Sequence, residues 1–240
     1  MKFTRYESRI EAGEILAGFL TSKINSLKND IIKNSTKFFC FAIPNGGVPV
    51  AEGFCSKFNI NYDILIVRKI KIPYNTEAGF GAVTTDGTVL INDLLLAKLN
   101  LSEKEIQDSI NLTKREISDR LKLYNKAQDL KGFYKEKIHK KNIFLLDDGL
   151  ASGYTMLAAI NMLKKYLPSK IFITIPTAPL GTVKRIKPNV DKIFCPNIRD
   201  VMWFAVADAY KNWYDVPESE VLKIINNSKY YKFNSKNDTR

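Results

Sequence analysis

Ile143-Phe144-Leu145-Leu146-Asp147-Asp148-Gly149-Leu150-Ala151-Ser152-Gly153-Tyr154-Thr155-Met156 is the stretch that decides the fold. A short apolar run meets two carboxylates, then a turn of small residues, then the start of a helical pattern. The run over 142–146 has the length of a buried strand. In an open parallel sheet, ligands bind beyond the carboxyl ends of the strands. The amides of Ala151 to Thr155 would leave a helix N-terminus unpaired, and unpaired donors with the helix dipole favour a phosphate. Ser152 and Thr155 add hydroxyl donors. Asp147 and Asp148 would repel that phosphate, so they suit another part of the same ligand, either sugar hydroxyls or a magnesium ion. The turn lacks the lysine of a Walker loop, which disfavours an ATPase.

Working outward, strand and helix patterns alternate. Residues 8–27 read as an amphipathic helix, 38–43 as a buried strand stopped by Pro44-Asn45-Gly46-Gly47, and 48–58 as a helix. A second strand spans 62–67 and ends at Arg68-Lys69. Runs at 80–83 and 89–91 flank Asp86-Gly87, a hairpin signal. Ser102 with Glu103 and Glu105 starts a long helix to 126 with a solvated outer face. Strands over 170–175 and 192–195 and helices over 155–166, 180–186 and 216–226 complete the pattern. It predicts an α/β fold, a Rossmann-like parallel sheet flanked by helices.

The stretch from Ile143 to Met156 resembles the phosphoribosyl pyrophosphate (PRPP) loop of the type I phosphoribosyltransferases. The resemblance implies that fold with a small hood. It implies that Asp147 and Asp148 hold the ribose 2- and 3-hydroxyls, and Mg2+ through water. It also implies that Ala151, Ser152, Gly153, Tyr154 and Thr155 cradle the 5-phosphate. Tyr154 stands where relatives often carry a small residue. Ala151 stands where hypoxanthine–guanine enzymes carry an Asp, which argues against a 6-oxopurine and is closer to the adenine-type pattern. Asn45, Gly46 and Gly47 match the family's pyrophosphate loop, with Asn45 where many relatives have Arg, so leaving-group charge falls to Arg68 and Lys69. Residues 70–81 are the expected mobile lid. Arg9 with Ala12-Gly13, residues 44–51 and 67–70, Glu77-Ala78 with Gly81-Ala82-Val83, and Trp213-Tyr214 are similar to one subgroup of uncharacterised phosphoribosyltransferases.

Composition sets the outer bounds. The chain has 240 residues, 45% of them apolar, which suits one domain rather than a disordered chain. That domain is expected over 1–228, with N-terminal helix and C-terminal hood segment included, followed by a basic tail over 229–240. No stretch reaches the roughly 18 apolar residues of a membrane span, and the charged N-terminus is no secretory signal. Three unclustered cysteines fit a reducing cytoplasm better than a disulfide framework. The formal charge of +12 attracts polyanions in general. Nucleic acid is not the expected partner, because no helical stripe of Arg and Lys with interleaved aromatics is present. The excess over 131–141 and the lone His139 read as solvated surface.

These readings imply transfer of 5-phosphoribosyl from PRPP to a nucleobase-like acceptor, with Mg2+ as cofactor and cytoplasmic salvage as setting. A homodimer is allowed for. Trp203 or Phe204 is the expected acceptor-stacking residue, since flat bases stack on aromatic rings. The alternative is a catalytically silent PRPP-binding regulator or sensor.

Overall fold

The computed structural model of the chain describes residues 3–126 and 130–232. Helices α1 (Arg9–Lys23) and α2 (Asn25–Lys33) precede strand β1 (Phe38–Ala42) and helix α3 (Gly47–Phe58). Strands β2 (Tyr62–Ile64), β3 (Val67–Ile72), β4 (Asn75–Thr84) and β5 (Val89–Ile91) follow. Helices α4 (Asp93–Leu96), α5 (Glu103–Leu123) and α6 (Leu130–Ile138) lead to β6 (Asn142–Leu146) and α7 (Tyr154–Lys165). The remainder is β7 (Lys170–Thr174), β8 (Thr177–Pro179), α8 (Leu180–Ile186), β9 (Lys192–Phe194), β10 (Asn197–Arg199) and α9 (Glu218–Asn227).

The main sheet is parallel, in the order β2-β1-β6-β7-β9. The order in which strands are added reverses between β1 and β6, so the crevice at their carboxyl ends is the topological switch point, where such sheets bind ligands. Alternation along β1 and β6 sends Phe38, Cys40, Ala42, Phe144 and Leu146 into one core, with α1, α3 and α9. Phe39, Phe41, Ile143 and Leu145 enter the other, with α6 and α7. Burial on both faces is why these strands read as continuous apolar runs. Two small sheets extend the rim: antiparallel β3-β4-β5, and parallel β8-β10. The Asp86-Gly87 hairpin forms between β4 and β5, with Gly87 at φ 83°.

Several boundaries differ from the sequence reading. The helix expected over 8–27 breaks at Ile24, whose φ of −145° and ψ of 85° are not helical. The strand expected over 62–67 is two strands in different sheets. Thr85 Oγ1 accepts from Ile66 N at 2.8 Å and donates to Ile66 O at 3.0 Å, catching the chain as it leaves the parallel sheet. The expected lid, 70–81, is built as the β3–β4 pair, with Ile70, Ile72 and Phe80 buried and the register shifted around Lys71. The lysine-rich 131–141 stretch contains α6, which buries Phe133, Tyr134 and Ile138 while His139 stays exposed. Of the expected tail, Tyr231 pairs with Tyr62 beside β2 and Lys232 N donates to Tyr62 O at 2.9 Å. Residues 233–240 lie outside the described residues.

One ion pair is fully internal. Lys126, just past α5, places Nζ against the Asp63 carboxylate of β2 and the Ile64 carbonyl, the latter at 3.2 Å. Burial raises the Asp63 pKa and lowers that of Lys126, each charge opposing the effect on its partner. Among the described residues, no helix is long and apolar enough to cross a membrane, and the three cysteines are free and buried.

Candidate active site

Strand β6 delivers Asp147 and Asp148 to the switch point, and the chain then turns through 149–153 into α7. Gly153 begins the helix at φ 78°, a left-handed conformation that costs glycine little. A Cβ there would also sit 2.7 Å from Thr182 Cγ2. Two groups on α8 hold the loop's carbonyls. Thr182 Oγ1 donates to Ala151 O at 2.6 Å, and Arg185 Nη1 donates to Ser152 O at 2.7 Å. With the carbonyls engaged, the amides of Ala151 to Thr155 have no acceptor among the described residues. Ala151 and Ser152 are exposed, Tyr154 and Thr155 half-buried, and Gly153 buried. Arg185 also lies over the Tyr154 ring, 5.6 Å from its centroid.

The acid pair is divided in orientation. Asp147 Oδ1 accepts the Asp148 amide at 2.8 Å, and Asp147 lines the cleft. Asp148 turns away and accepts from Arg9 Nε at 2.8 Å. Arg9 is itself 5% exposed. Its guanidinium lies 4.3 Å from the Trp213 ring centroid and also flanks Tyr210 and Tyr214, while Nη2 donates to Tyr214 O at 2.9 Å. Tyr210 donates its hydroxyl to Asp148 O at 2.7 Å. Burial and the neighbouring Asp148 charge push the Asp147 pKa well above the usual carboxylate range. Burial raises Asp148 as well, opposed by Arg9.

The loop after β1 meets this pair from the other side. A Cβ on Gly46 would lie 2.0 Å from Asp148 Oδ2, so only glycine lets the two loops touch. The Gly47 amide is used within the turn, donating to Ile43 O at 3.1 Å, whereas the Gly46 amide has no acceptor among the described residues. Asn45 is clamped: Arg120 Nη1 donates to its Oδ1 at 2.9 Å, and its Nδ2 donates to Val216 O at 2.8 Å. Arg120 pairs in turn with Glu218 at 2.8 Å. The charge that Asn45 lacks is thus present beside it, brought by α5.

Between the loops lies a cleft of about 500 Å³ lined by Pro44, Arg68, Lys69, Lys71, Asp147 and Thr155, among others. Arg68 and Lys71 share Glu116 at 3.5 and 3.6 Å, and Lys69 reaches the Glu77 carbonyl. Residues from both expected phosphate regions therefore meet around one space. Asp148 and Asn45 are held behind it. Trp203 is 84% exposed and Phe204 half-buried beside Arg199, so Trp203 neither packs the core nor lines this cleft. The sequence reading assigned no role to Arg9, Lys71, Arg120, Thr182 or Arg185.

The parallel sheet flanked by helices, with an acid and a row of bare amides at its switch point, has the phosphoribosyltransferase fold. Residues 8–212 match the phosphoribosyl transferase domain family, and the chain belongs to it. That family comprises glycosyltransferase-type enzymes. A Mycobacterium tuberculosis protein whose own assignment as a phosphoribosyl transferase is provisional is 25% identical over 76% of this chain. The chain spans 40% of that relative's length. Uracil phosphoribosyltransferase of Ureaplasma urealyticum is 38% identical over 61 residues, 24% of this chain and 30% of that protein. The crystal structure of TT1426 from Thermus thermophilus superposes with a TM-score of 0.69, at 22% identity, over 92% of this chain and 97% of that one. It shares the fold.

Proposed function

We propose that the protein transfers the 5-phosphoribosyl group of PRPP to a nucleobase-like acceptor and releases pyrophosphate. The observation that carries this reading is the cleft, where Asp147 and Thr155 of one loop face Arg68, Lys69 and Lys71 of β3. The amides of Ala151 to Thr155, with the Ser152 and Thr155 hydroxyls, receive the 5-phosphate. Asp147 accepts from the ribose hydroxyls. Arg68, Lys69 and Lys71, with the Gly46 amide, receive the pyrophosphate. Asp148 acts through Arg9, which fixes the turn of the acid loop.

Transfer breaks the bond from ribose C1 to pyrophosphate, so positive charge grows on the ribose and negative charge on the leaving oxygens. Holding both ends of the donor supplies the alignment, and fixed cations meet the leaving charge. No covalent nucleophile is required. The donor set suits Mg2+, which takes one or two carboxylates together with phosphate oxygens and water. Asp147 presents such a carboxylate in the cleft, and no larger ligand cluster exists among the described residues. Bound there, Mg2+ would neutralise pyrophosphate oxygens.

A PRPP-binding regulator is the second reading, favoured by the pairing of Arg68 and Lys71 with Glu116, which spends part of their charge. Pyrophosphate release across a panel of nucleobases, run beside a PRPP thermal-shift assay, separates the two. Turnover with any base supports the transferase. Stabilisation by PRPP without turnover on any base supports the regulator, and no stabilisation overturns both.

A further inference from the structure

We infer that the edge of the main sheet opposite the cleft carries a second anion site, one that takes the phosphate group of a small phosphorylated metabolite. Strands β1, β2 and β6 begin at this edge, and a cavity of about 160 Å³ opens beside them. Lys137, Lys141 and Lys232 line it together with Asn59, Asn61 and Thr36, and no Asp or Glu is among its lining residues. The side chains of Thr36, Asn59 and Asn61 have no hydrogen-bond partner among the described residues. Two carboxamides and a hydroxyl thus stand as unpartnered groups beside the ammonium groups of three lysines, of which Lys137 is also paired with Glu136.

The electrostatics agree with the geometry. Burial lowers the Lys141 pKa, and the Lys137 ammonium lowers it further. Lys137 lies over the Phe133 ring and pairs with Glu136, which stands 62% exposed on the outer surface. A bound dianion would relieve the repulsion between the lysines and accept from several donors at once, as phosphate oxygens do. The volume is below the ~300 Å³ at which small-molecule pockets begin, so a phosphate group fits and a whole nucleotide does not. The five residues of β1 separate this edge from the cleft by ~17 Å. The site is therefore distinct from the loop at 151–155 and does not depend on the transferase reading.

Titrating the 15N-labelled full chain with inorganic phosphate, at ionic strength held constant with sodium chloride, tests this site by site. The expected result is a saturating shift of the Asn59 and Asn61 amide signals that weakens at least about tenfold in affinity when Lys137→Gln and Lys141→Gln are combined. Lys137→Arg with Lys141→Arg should keep it. The signals of 151–155 report the cleft separately and should respond alike in every variant, which also shows that each variant is folded. A linear, non-saturating drift at Asn59 and Asn61 would overturn the proposal. So would saturation that the glutamine variant leaves unchanged.

Discussion

The loops after β1 and after β6 are built from the same plan, a buried strand running into small residues and then a helix, yet the structure uses them differently. After β6, carbonyls are held by Thr182 and Arg185 and the amides are left bare. After β1, the Gly47 amide closes its own turn, Asn45 is clamped by Arg120, and Gly46 makes room for Asp148. One loop leaves its donors free, and the other is engaged mainly with its neighbour. Glycine in a strand–helix turn can mean close approach of protein as readily as close approach of phosphate.

The strongest way to break this contrast is to neutralise the acids one at a time. Asp147→Asn should weaken PRPP binding by about tenfold to a hundredfold in calorimetric titration, the loss of one charge-assisted contact. Asp148→Asn should weaken it less, because that carboxylate faces Arg9 and not the cleft. Equal losses would erase the division of labour between the two.

Of comparable size is the bracket behind the acids. Arg9→Met should destabilise the protein by about 3 kcal/mol in urea unfolding at neutral pH, since it strands a buried carboxylate. Adding Asp148→Asn should recover part of that loss. A double variant no more stable than Arg9→Met would deny the coupling.

A smaller effect distinguishes ligand site from scaffold within the first loop. The folded-state pKa of Asp147 is raised above its unfolded value. Its stabilising contribution is therefore complete below the unfolded pKa of about 3.9 and is lost as pH rises through the folded value. Asp147→Asn should raise the melting temperature of the ligand-free protein by on the order of 2–4 °C at pH 7. The gain should vanish at the acid end of a pH series. Smallest of all, Arg120→Ala should cost about 1 kcal/mol of stability and change PRPP affinity by less than about threefold. A large affinity loss would move the β1 loop from scaffold to ligand site.

Much of this was legible in the sequence because local patterns carry it. The 142–146 run and the acids and hydroxyls after it fix strand, turn and helix by adjacency alone. The break between β2 and β3 was not legible, since the continuous apolar run from Ile64 to Val67 has no feature marking a change of sheet. Helix α6 was hidden because Phe133, Tyr134 and Ile138 are interleaved with lysines that read as surface. The site's supporting charges were out of reach for another reason: Arg9 and Asp148 are 139 residues apart, and Asn45 and Arg120 are 75 apart. Late aromatic residues looked alike in sequence, yet Trp203 stands in solvent while Trp213 stacks on Arg9.

Arg9 also ties function to the order of synthesis. Its guanidinium needs the Tyr214 carbonyl, 205 residues further along the chain. While a ribosome is still making the intervening segment, the acid loop can exist without its full bracket. The nascent chain can complete that bracket only after α8 and the residues through Tyr214 have emerged.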